Sequence, residues 1–335
     1  MTFDFDYKTS QYLNVKQVIC VGTATLDIFV RSNEFKVMPS AEGVVLCEAY
    51  GAKLEVEELV WTTGGGATNA AATFCKQGLE TGLISEIGND IPGKTLLNEL
   101  GEMNIPTDLI VKEDAEKTAT SIILVAPEGG RSIVTSRGAS KMLEVRDIPW
   151  DNIDTEWIYI SSLGGQVALL EAITNHAKEK GIKVAVNPGA GEINADDLIS
   201  RLAPFWDVLM MNENESSVLT GVGTDDLKVL GKKIHQLGAK NTIVTAGERG
   251  AVLLNADQIL FCPPGNGNVV ESTGAGDAFG SGFVSGLIKG DDLFKSLQFA
   301  QANSVGVISK VGSKAGIIDE SIFDQMVHAK IETWE

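Results

Sequence analysis

The sequence predicts a doubly wound α/β fold, in which helices flank a mostly parallel sheet, with a small β-sheet lid. Short apolar segments alternate with segments of helical periodicity, and such strand–helix alternation is typical of a parallel sheet. Residues 28–62 and 117–137 differ, because they are rich in β-forming and turn residues and contain no helical segment. We therefore expect residues 1–335 to form one domain, with lid strands inserted at these two places.

The predicted elements follow one another along the chain. Six apolar segments are the predicted strands of the main sheet: QVICVG (17–22), TGLISEI (81–87), WIYISS (157–162), KVAVNP (183–188), VLMMN (208–212) and NTIVTAG (241–247). Three segments with helical spacing are predicted helices: ATNAAATFCKQGL (67–79), QVALLEAITNHAKEKG (166–181) and DDLKVLGKKIHQLG (225–238). Residues 274–331 are predicted to be mostly helical, and APEGGRS (126–132) is typical of a hairpin turn in the lid.

Composition and charge restrict the class of protein. The chain has 27 Lys and Arg against 45 Asp and Glu, a net charge of −18, which disfavours nucleic acid or an anionic membrane as a partner. Its four cysteines (Cys20, Cys47, Cys75 and Cys262) form no CxxC pair and indicate buried thiols in a reducing compartment. The start, MTFDFDYKTS, lacks the pattern of a signal peptide, and no apolar run is long enough to span a membrane. We expect a cytoplasmic protein.

The segment GNDIPGKT (Gly88–Thr95) matches the P-loop pattern G-x-x-x-x-G-K-[ST]. Two of its residues oppose phosphate binding. Asp90 would place a carboxylate beside phosphate oxygens of the same sign, and Pro92 has no N–H to donate. The alternative is a turn from a strand into a helix that has Pro92 in its first turn. We favour the turn.

A better candidate for phosphate binding is VESTGAGDAFGSGFVSGL (270–287). Gly274, Ala275 and Gly276 are small enough for their backbone amides to approach an anion at the start of a helix. Asp277, in the first turn, is placed to accept a proton from a hydroxyl while the amides hold a phosphoryl group. The alternative is a glycine-rich helix start with Asp277 as a cap. Four glycines predict close helix packing: Gly276, Gly280, Gly282 and Gly286.

The segment STGAGDAFGSGF resembles the C-terminal signature of the ribokinase-like (PfkB) carbohydrate kinases, and TGGGATNAAATFCKQGLETGLISEIGNDIPGKTLLNEL (63–100) resembles their N-terminal signature. Gly88, Asp90 and Gly93 belong to that second signature, so Lys94 and Thr95 complete the P-loop pattern by chance. Between the two signatures, NENE (212–215) and TAGERG (245–250) are similar to the family's N-x-x-E and T-x-G-x-x-G. The likeness spans about residues 17–317 and implies a ribokinase-like fold.

The resemblance implies an enzyme that transfers the γ-phosphoryl group of ATP to a hydroxyl of a small sugar. Asp277 matches the general base, and Gly274, Ala275 and Gly276 match the anion hole. The residues matched to the substrate are Asp27, Gly64, Gly65 and Asn69. Those matched to the nucleotide and its cations are Asn212, Glu215, Thr245, Gly247, Gly250, Asn303 and Gly312. Glu215 would organise Mg²⁺ through water, Asn303 would line the adenine pocket, and the Gly312 loop would help to bind K⁺. The family also suggests a homodimer formed through the lid.

Several positions leave alternatives open. Glu271 replaces the Asp that usually begins the C-terminal signature, which leaves activation by K⁺ undecided. Gly66 stands where ribose-specific members commonly carry Lys. Arg137 is either a contact for an acidic substrate or a solvated residue. A nucleoside kinase is one alternative function, and the candidate aromatic residues for a base are Phe29, Phe35, Tyr50 and Trp61. A non-catalytic sugar or nucleotide sensor is the other alternative.

Overall fold

The structure, a computed structural model, describes residues 16–41, 43–128 and 130–335. The N-terminal MTFDFDYKTS, Glu42, and Gly129 of the predicted hairpin turn lie outside the described residues. The strands are β1 (Lys16–Val21), β2 (Thr25–Arg31), β3 (Lys36–Ser40), β4 (Gly43–Cys47), β5 (Glu58–Gly64), β6 (Thr81–Gly88), β7 (Ile110–Glu113), β8 (Thr120–Val125), β9 (Arg131–Ser136), β10 (Thr155–Ile160), β11 (Lys183–Val186), β12 (Val208–Asn212), β13 (Asn241–Thr245), β14 (Ala251–Leu254), β15 (Ile259–Cys262) and β16 (Glu332–Trp334). The α-helices are α1 (Gly66–Lys76), α2 (Ile91–Glu102), α3 (Val167–Lys180), α4 (Ala190–Ile193), α5 (Leu198–Leu202), α6 (Glu213–Thr220), α7 (Leu227–His235), α8 (Ala275–Lys289), α9 (Leu293–Ile308) and α10 (Glu320–Phe323).

The main sheet has ten strands in the order β16-β15-β14-β13-β12-β11-β10-β1-β6-β7. All pairs from β13 to β7 are parallel, and the three strands β14 to β16 add an antiparallel edge. The predicted fold class is confirmed, as are the six predicted main strands and the three predicted helices. No helix in the described ranges is long and apolar enough to cross a membrane.

The strand order reverses between β1 and β10. From β1 the chain proceeds to β6 and β7 on one side, and afterwards to β10, β11, β12 and β13 on the other. In open α/β sheets, ligands bind beyond the carboxyl ends of the strands at such a switch point. Val21 and Ile160 are the last residues of the two strands and are paired with each other, so the segments that follow them begin side by side at this point.

Apolar side chains cover both faces of the main sheet. One buried cluster unites the sheet with α3, α5 and α7 and contains Trp206. The other unites it with α1, α2, α8 and α9 and contains Phe74 and Phe283. Burial on both faces explains why the parallel strands are continuously apolar in sequence.

A second sheet has the strand order β5-β2-β8-β9 and is the predicted lid. It draws strands from both regions that lack helical periodicity, whereas β3 and β4 form a separate two-stranded sheet. Asp27 on β2 lies opposite Thr62 on β5 and Ser121 on β8. Its neighbour Ile28 lies opposite Trp61, on the other face. One face of the lid therefore carries Asp27, and the opposite face carries Trp61.

Close packing of α8 depends on three of its glycines. A Cβ atom on Gly282 would lie 3.1 Å from the Cα of Ala300, and one on Gly286 would lie 2.9 Å from the Cα of Ser296. A Cβ on Gly280 would collide with Met210. The expectation that Gly276 serves the same packing is wrong, because a Cβ there would meet no atom within 4 Å.

We expect Gly286→Ala to lower the free energy of unfolding by about 1–3 kcal/mol, because the added methyl group has no room against Ser296 in α9. Equilibrium unfolding in urea measures the change. Gly101→Ala is the matched control, since Gly101 is also helical but its Cβ would meet open space. An equal loss of stability in both variants would contradict the packing argument.

Candidate active site

The first turn of α8 is shaped for close approach of an anion. Gly274, the residue before the helix, has φ 80°, a left-handed conformation that favours glycine. A Cβ on Gly274 would also lie 2.6 Å from the Cβ of Ser313. Gly274, Ala275, Gly276 and Asp277 line a cavity of about 200 Å³. The free N–H groups and the dipole at a helix N-terminus favour negative charge, so this cavity suits a phosphate group.

Asp277 lies at the edge of this cavity and is half-buried. Its Oδ2 accepts a hydrogen bond of 2.8 Å from the Nδ2 of Asn69 in α1. Burial raises the pKa of Asp277, and the negative charge of Asp27 raises it further. The bond from Asn69 and the positive charge of Lys314 oppose this rise. Asp277 therefore connects the anion site with the residues predicted to hold the substrate.

Asp27 is buried on the lid strand β2 and accepts a bond of 3.1 Å from the hydroxyl of Thr25. Burial raises its pKa, and Lys314 opposes the rise. Gly64 leaves the space that the carboxylate of Asp27 occupies, since a Cβ there would collide with it. Gly65 has φ 93° and lies against the backbone of residues 23 and 24. The two glycines thus allow β2 and the start of α1 to approach closely.

Asn69 is held from the side opposite Asp277. Its Oδ1 accepts bonds from the Oγ of Ser313 (2.8 Å) and the Nζ of Lys314 (2.7 Å). Lys314 is 5% exposed, and sequence reasoning missed it, although it lies in the loop SKVGSKAG quoted for Gly312. The sequence feature that could have identified Lys314 is a single lysine among small residues in a glycine-rich loop.

Asn212 and Glu215 are in the same cavity as the α8 N-terminus. They also form a capping box, in which Oδ1 of Asn212 accepts from the Glu215 N–H and Oε2 of Glu215 accepts from the Asn212 N–H, both at 2.9 Å. These two residues therefore cap the start of α6 and also line the cavity. Burial raises the pKa of Glu215. Carboxylate and amide oxygens are ligands that suit Mg²⁺ and its waters, so these residues fit the ion.

A second cavity of about 370 Å³ adjoins the first and shares Thr245, Ala275 and Gly276 with it. Two further predicted residues, Gly247 and Gly250, also line it. Others that line it were missed by sequence reasoning: Phe279, Gln301, Ser304 and Val305. A cavity of this size and mixed polarity is typical of a small-molecule site, and its continuity with the anion cavity suits a nucleotide.

Residues 16–320 match the pfkB family carbohydrate kinases. The chain belongs to this family. Its members are phosphotransferases that act on sugar hydroxyls, and this protein is accordingly a kinase of a sugar or sugar-like compound. The match includes the lid, the anion cavity and the nucleotide-sized cavity.

Individual relatives agree with the family assignment. The chain is similar to the ribokinase of Haemophilus influenzae, with 28% identity over 76% of this chain and 83% of that protein. It is similar to the ATP-dependent 6-phosphofructokinase of Thermoanaerobacterium thermosaccharolyticum, with 28% identity over 84% and 89%. The fold is similar to that of Arabidopsis thaliana ribokinase complexed with ribose and ATP, with a TM-score of 0.77, 21% identity and coverage of 93% and 98%.

The prediction that Asn303 lines the adenine pocket of this kinase is wrong. Its side chain is fully buried and donates to the carbonyl of Ala278 (2.9 Å) and the hydroxyl of Thr73 (3.3 Å), while Oδ1 accepts from the N–H of Ile318. Asn303 joins α9 to α8 and α1. The cavity is lined instead by Gln301 and Ser304, which lie one turn apart on another face of α9.

The segment Gly88–Thr95 forms the strand-to-helix turn. Oδ1 of Asp90 accepts from the Gly93 N–H (2.9 Å) and from the Thr118 hydroxyl (2.6 Å), and Pro92 is in the first turn of α2. Lys94 is exposed. The acidic residue caps the helix, which excludes a phosphate from this position.

Gly312 and Glu271, the two residues associated with a K⁺ site in the sequence, lie near the lid. Gly312 has φ 92° and packs beside Thr62 of β5, and it lines neither cavity. Glu271 is buried, accepts from the Thr273 N–H (2.7 Å) and pairs with Arg131 of the lid strand β9 at 3.7 Å. Arg131 also donates to the hydroxyl of Ser272. The lid therefore contacts the segment that precedes the anion cavity.

We expect Gly276→Ala to reduce kinase turnover at least about tenfold without loss of stability. A Cβ at this position meets no protein atom within 4 Å, but it enters the cavity where backbone amides are expected to stabilise charge. Steady-state rates and urea unfolding of the same preparations measure both effects. Turnover that equals that of the wild type would show that the amide of Gly276 does not face the transferring group.

Proposed function

We propose that this kinase transfers the γ-phosphoryl group of ATP to a hydroxyl of a small sugar, with Asp277 as general base and the amides of Gly274–Gly276 as anion hole. The observation that carries the proposal is the position of Asp277. Its carboxylate lines the phosphate-sized cavity and is bonded to Asn69, and Gly64, which precedes the helix of Asn69, packs against Asp27. One base thus adjoins both reactants.

Each of the proposed site residues has a role that follows from its chemistry. Asp277 accepts the proton of the attacking hydroxyl, and the amides at the start of α8 stabilise the charge on the transferring group. Asp27 and Asn69 hold other hydroxyls of the sugar. Asn212, Thr245, Gly247 and Gly250 contact the nucleotide, which is ATP. Mg²⁺, when bound near Glu215 through water, neutralises charge on the phosphates. The lid excludes water from the reacting atoms.

Two other functions have less support. For a nucleoside kinase, the lid should offer an aromatic face to the base. Trp61 lies on the face opposite Asp27, Tyr50 is fully exposed, and Phe29 is buried in the cluster with Ile123. A sensor without catalysis would not need a base, and the carboxylate of Asp277 beside the anion cavity therefore argues against this function. Arg137 is exposed, which agrees with its interpretation as a solvated residue.

A monovalent cation is the further cofactor that the family resemblance suggests, beside residue 271 and the Gly312 loop. Arg131 already places a positive charge next to the buried Glu271. These contacts give a K⁺ requirement no support, and ATP and Mg²⁺ are the cofactors that we propose.

We expect Asp277→Ala to lower kcat about 10²–10⁴-fold, because the general base is lost. Release of ADP from ATP and Mg²⁺ measures the rate against separate pools of pentoses, hexoses, sugar acids, sugar phosphates and nucleosides. The pool that stimulates the wild type identifies the substrate class.

Lys94→Ala is the control for this assay, and we expect nearly normal turnover because Lys94 is an exposed residue of α2, whose start is capped by Asp90. If Lys94→Ala is inactive and the wild type releases ADP without any acceptor, the assignment of Asp277 as general base is disproved. The segment Gly88–Thr95 would then be a P-loop.

We also propose a cytoplasmic homodimer formed through the lid. The four cysteines are free thiols, as expected in a reducing compartment. The face of the lid that carries Trp61 is apolar, and four side chains on it are at least 40% exposed: Leu59, Trp61, Ile122 and Val134. A contiguous exposed apolar patch of this kind is typical of a protein interface.

We expect Trp61→Glu to weaken dimerisation at least about tenfold, because it replaces the largest apolar side chain of the proposed interface with a charged one. Sedimentation velocity over a range of concentrations measures the change. Val229→Glu, at an exposed valine on α7, is the control and leaves the association unchanged. A wild type that stays monomeric at high concentration would exclude this interface.

A further inference from the structure

Lys314 is a buried lysine that contacts Asn69 of the proposed sugar site. Its Nζ donates to the backbone carbonyl of Thr63 (2.6 Å) and to Oδ1 of Asn69 (2.7 Å). These acceptors flank the Gly64–Gly65 pair, at the point where β5 leaves the lid and α1 begins. An ammonium group is costly to bury unless it is hydrogen-bonded and faced by negative charge, so this position calls for an explanation.

The bonds fix which way the amide of Asn69 points. Oδ1 of Asn69 faces two donors, Lys314 Nζ and Ser313 Oγ, and Nδ2 faces the carboxylate of Asp277. A flipped amide would place its NH₂ group against both donors and its oxygen against the carboxylate. The lysine therefore favours the one orientation in which Asn69 donates to Asp277.

The charge of Lys314 also acts on the acidic groups around it. Three carboxylates face it from three elements: Asp27 on β2, Glu99 on α2 and Asp277 on α8. In the described part of the chain, none of them is in direct ion-pair contact with Nζ. Lys314 opposes the rise in pKa that burial causes at Asp27 and Asp277, and burial lowers its own pKa to about 8.

We infer that Lys314 is a positioning residue of the kinase: it holds Asn69 in the orientation in which the side-chain amide donates to Asp277. The inference rests on the proposed function, because it assigns Asp277 the role of general base. Lys314 acts through Asn69 and through its charge.

The sign of the pH dependence follows from the two charges. Asp277 accepts a proton only when ionised, so turnover falls below its pKa. Loss of the Lys314 charge removes a group that lowers this pKa, which moves the acidic limb to higher pH.

The experiment is the pH profile of kcat for the wild type and for Lys314→Met, Lys314→Gln and Lys314→Arg. For Lys314→Met we expect kcat to fall about 10–100-fold, with a smaller change in KM and an acidic limb at higher pH. Lys314→Gln keeps a donor for Asn69 but no charge, and Lys314→Arg keeps both. We expect each to restore part of kcat. Lys310→Met, at an exposed lysine of the same loop, should match the wild type.

A second readout does not depend on turnover. In ¹⁵N-resolved spectra, the side-chain amide of Asn69 should shift in Lys314→Met and return towards its wild-type position in Lys314→Gln, with thermal unfolding as the check on folding. A Lys314→Met profile within twofold of the wild type, or an Asn69 amide that keeps its wild-type position in Lys314→Met, would each overturn the inference. If Asp277→Ala is inactive in the same assay, the proposed function stands independently of these outcomes. If no acceptor stimulates the wild type, the proposed function fails, while the amide shift still tests the orientation of Asn69.

Discussion

The hydrogen bond between Asn69 and Asp277 is the contact on which the site depends. It joins residues 208 positions apart in the chain, one on the helix that leaves the lid and the other on the helix that forms the anion cavity. Without it, the substrate half and the phosphate half of the site would be positioned by separate elements. The bond is partly buried, and a hydrogen bond to a charged group in such surroundings is stronger than one in water.

The fold supplies this contact through topology and through small residues. The switch between β1 and β10 opens the crevice, α1 and α8 pack side by side on one face of the sheet, and α9 packs against α8. Glycines then act in two different ways. Gly280, Gly282 and Gly286 permit helix packing, whereas Gly274 provides a backbone conformation. One glycine-rich segment therefore serves stability at one end and ligand binding at the other.

Sequence patterns predicted the parts that depend on local chemistry. Continuous apolar strands, the helix start at Gly274 and the turn at Asp90 each follow from neighbouring residues. The contacts of Lys314 and Asn303 could not be predicted in the same way, because they join elements more than 200 residues apart. Asn303 lies only one residue from Ser304, but successive side chains on a helix are rotated by about 100°. Asn303 therefore faces the core, whereas Ser304 faces the cavity. The antiparallel edge formed by β14 to β16 was not predicted, because its strands are only three or four residues long and helices separate β15 from β16.

The contact of Arg131 with Glu271 and Ser272 has a thermodynamic consequence. Arg131 begins β9 at the edge of the lid, and Ser272 lines both the phosphate cavity and the adjoining one. A ligand that immobilises the lid thereby also restrains Ser272, and a ligand that immobilises Ser272 restrains the lid. Linkage requires that each of two such ligands change the affinity of the other by the same factor, so we expect Arg131 to couple the binding of the two proposed substrates.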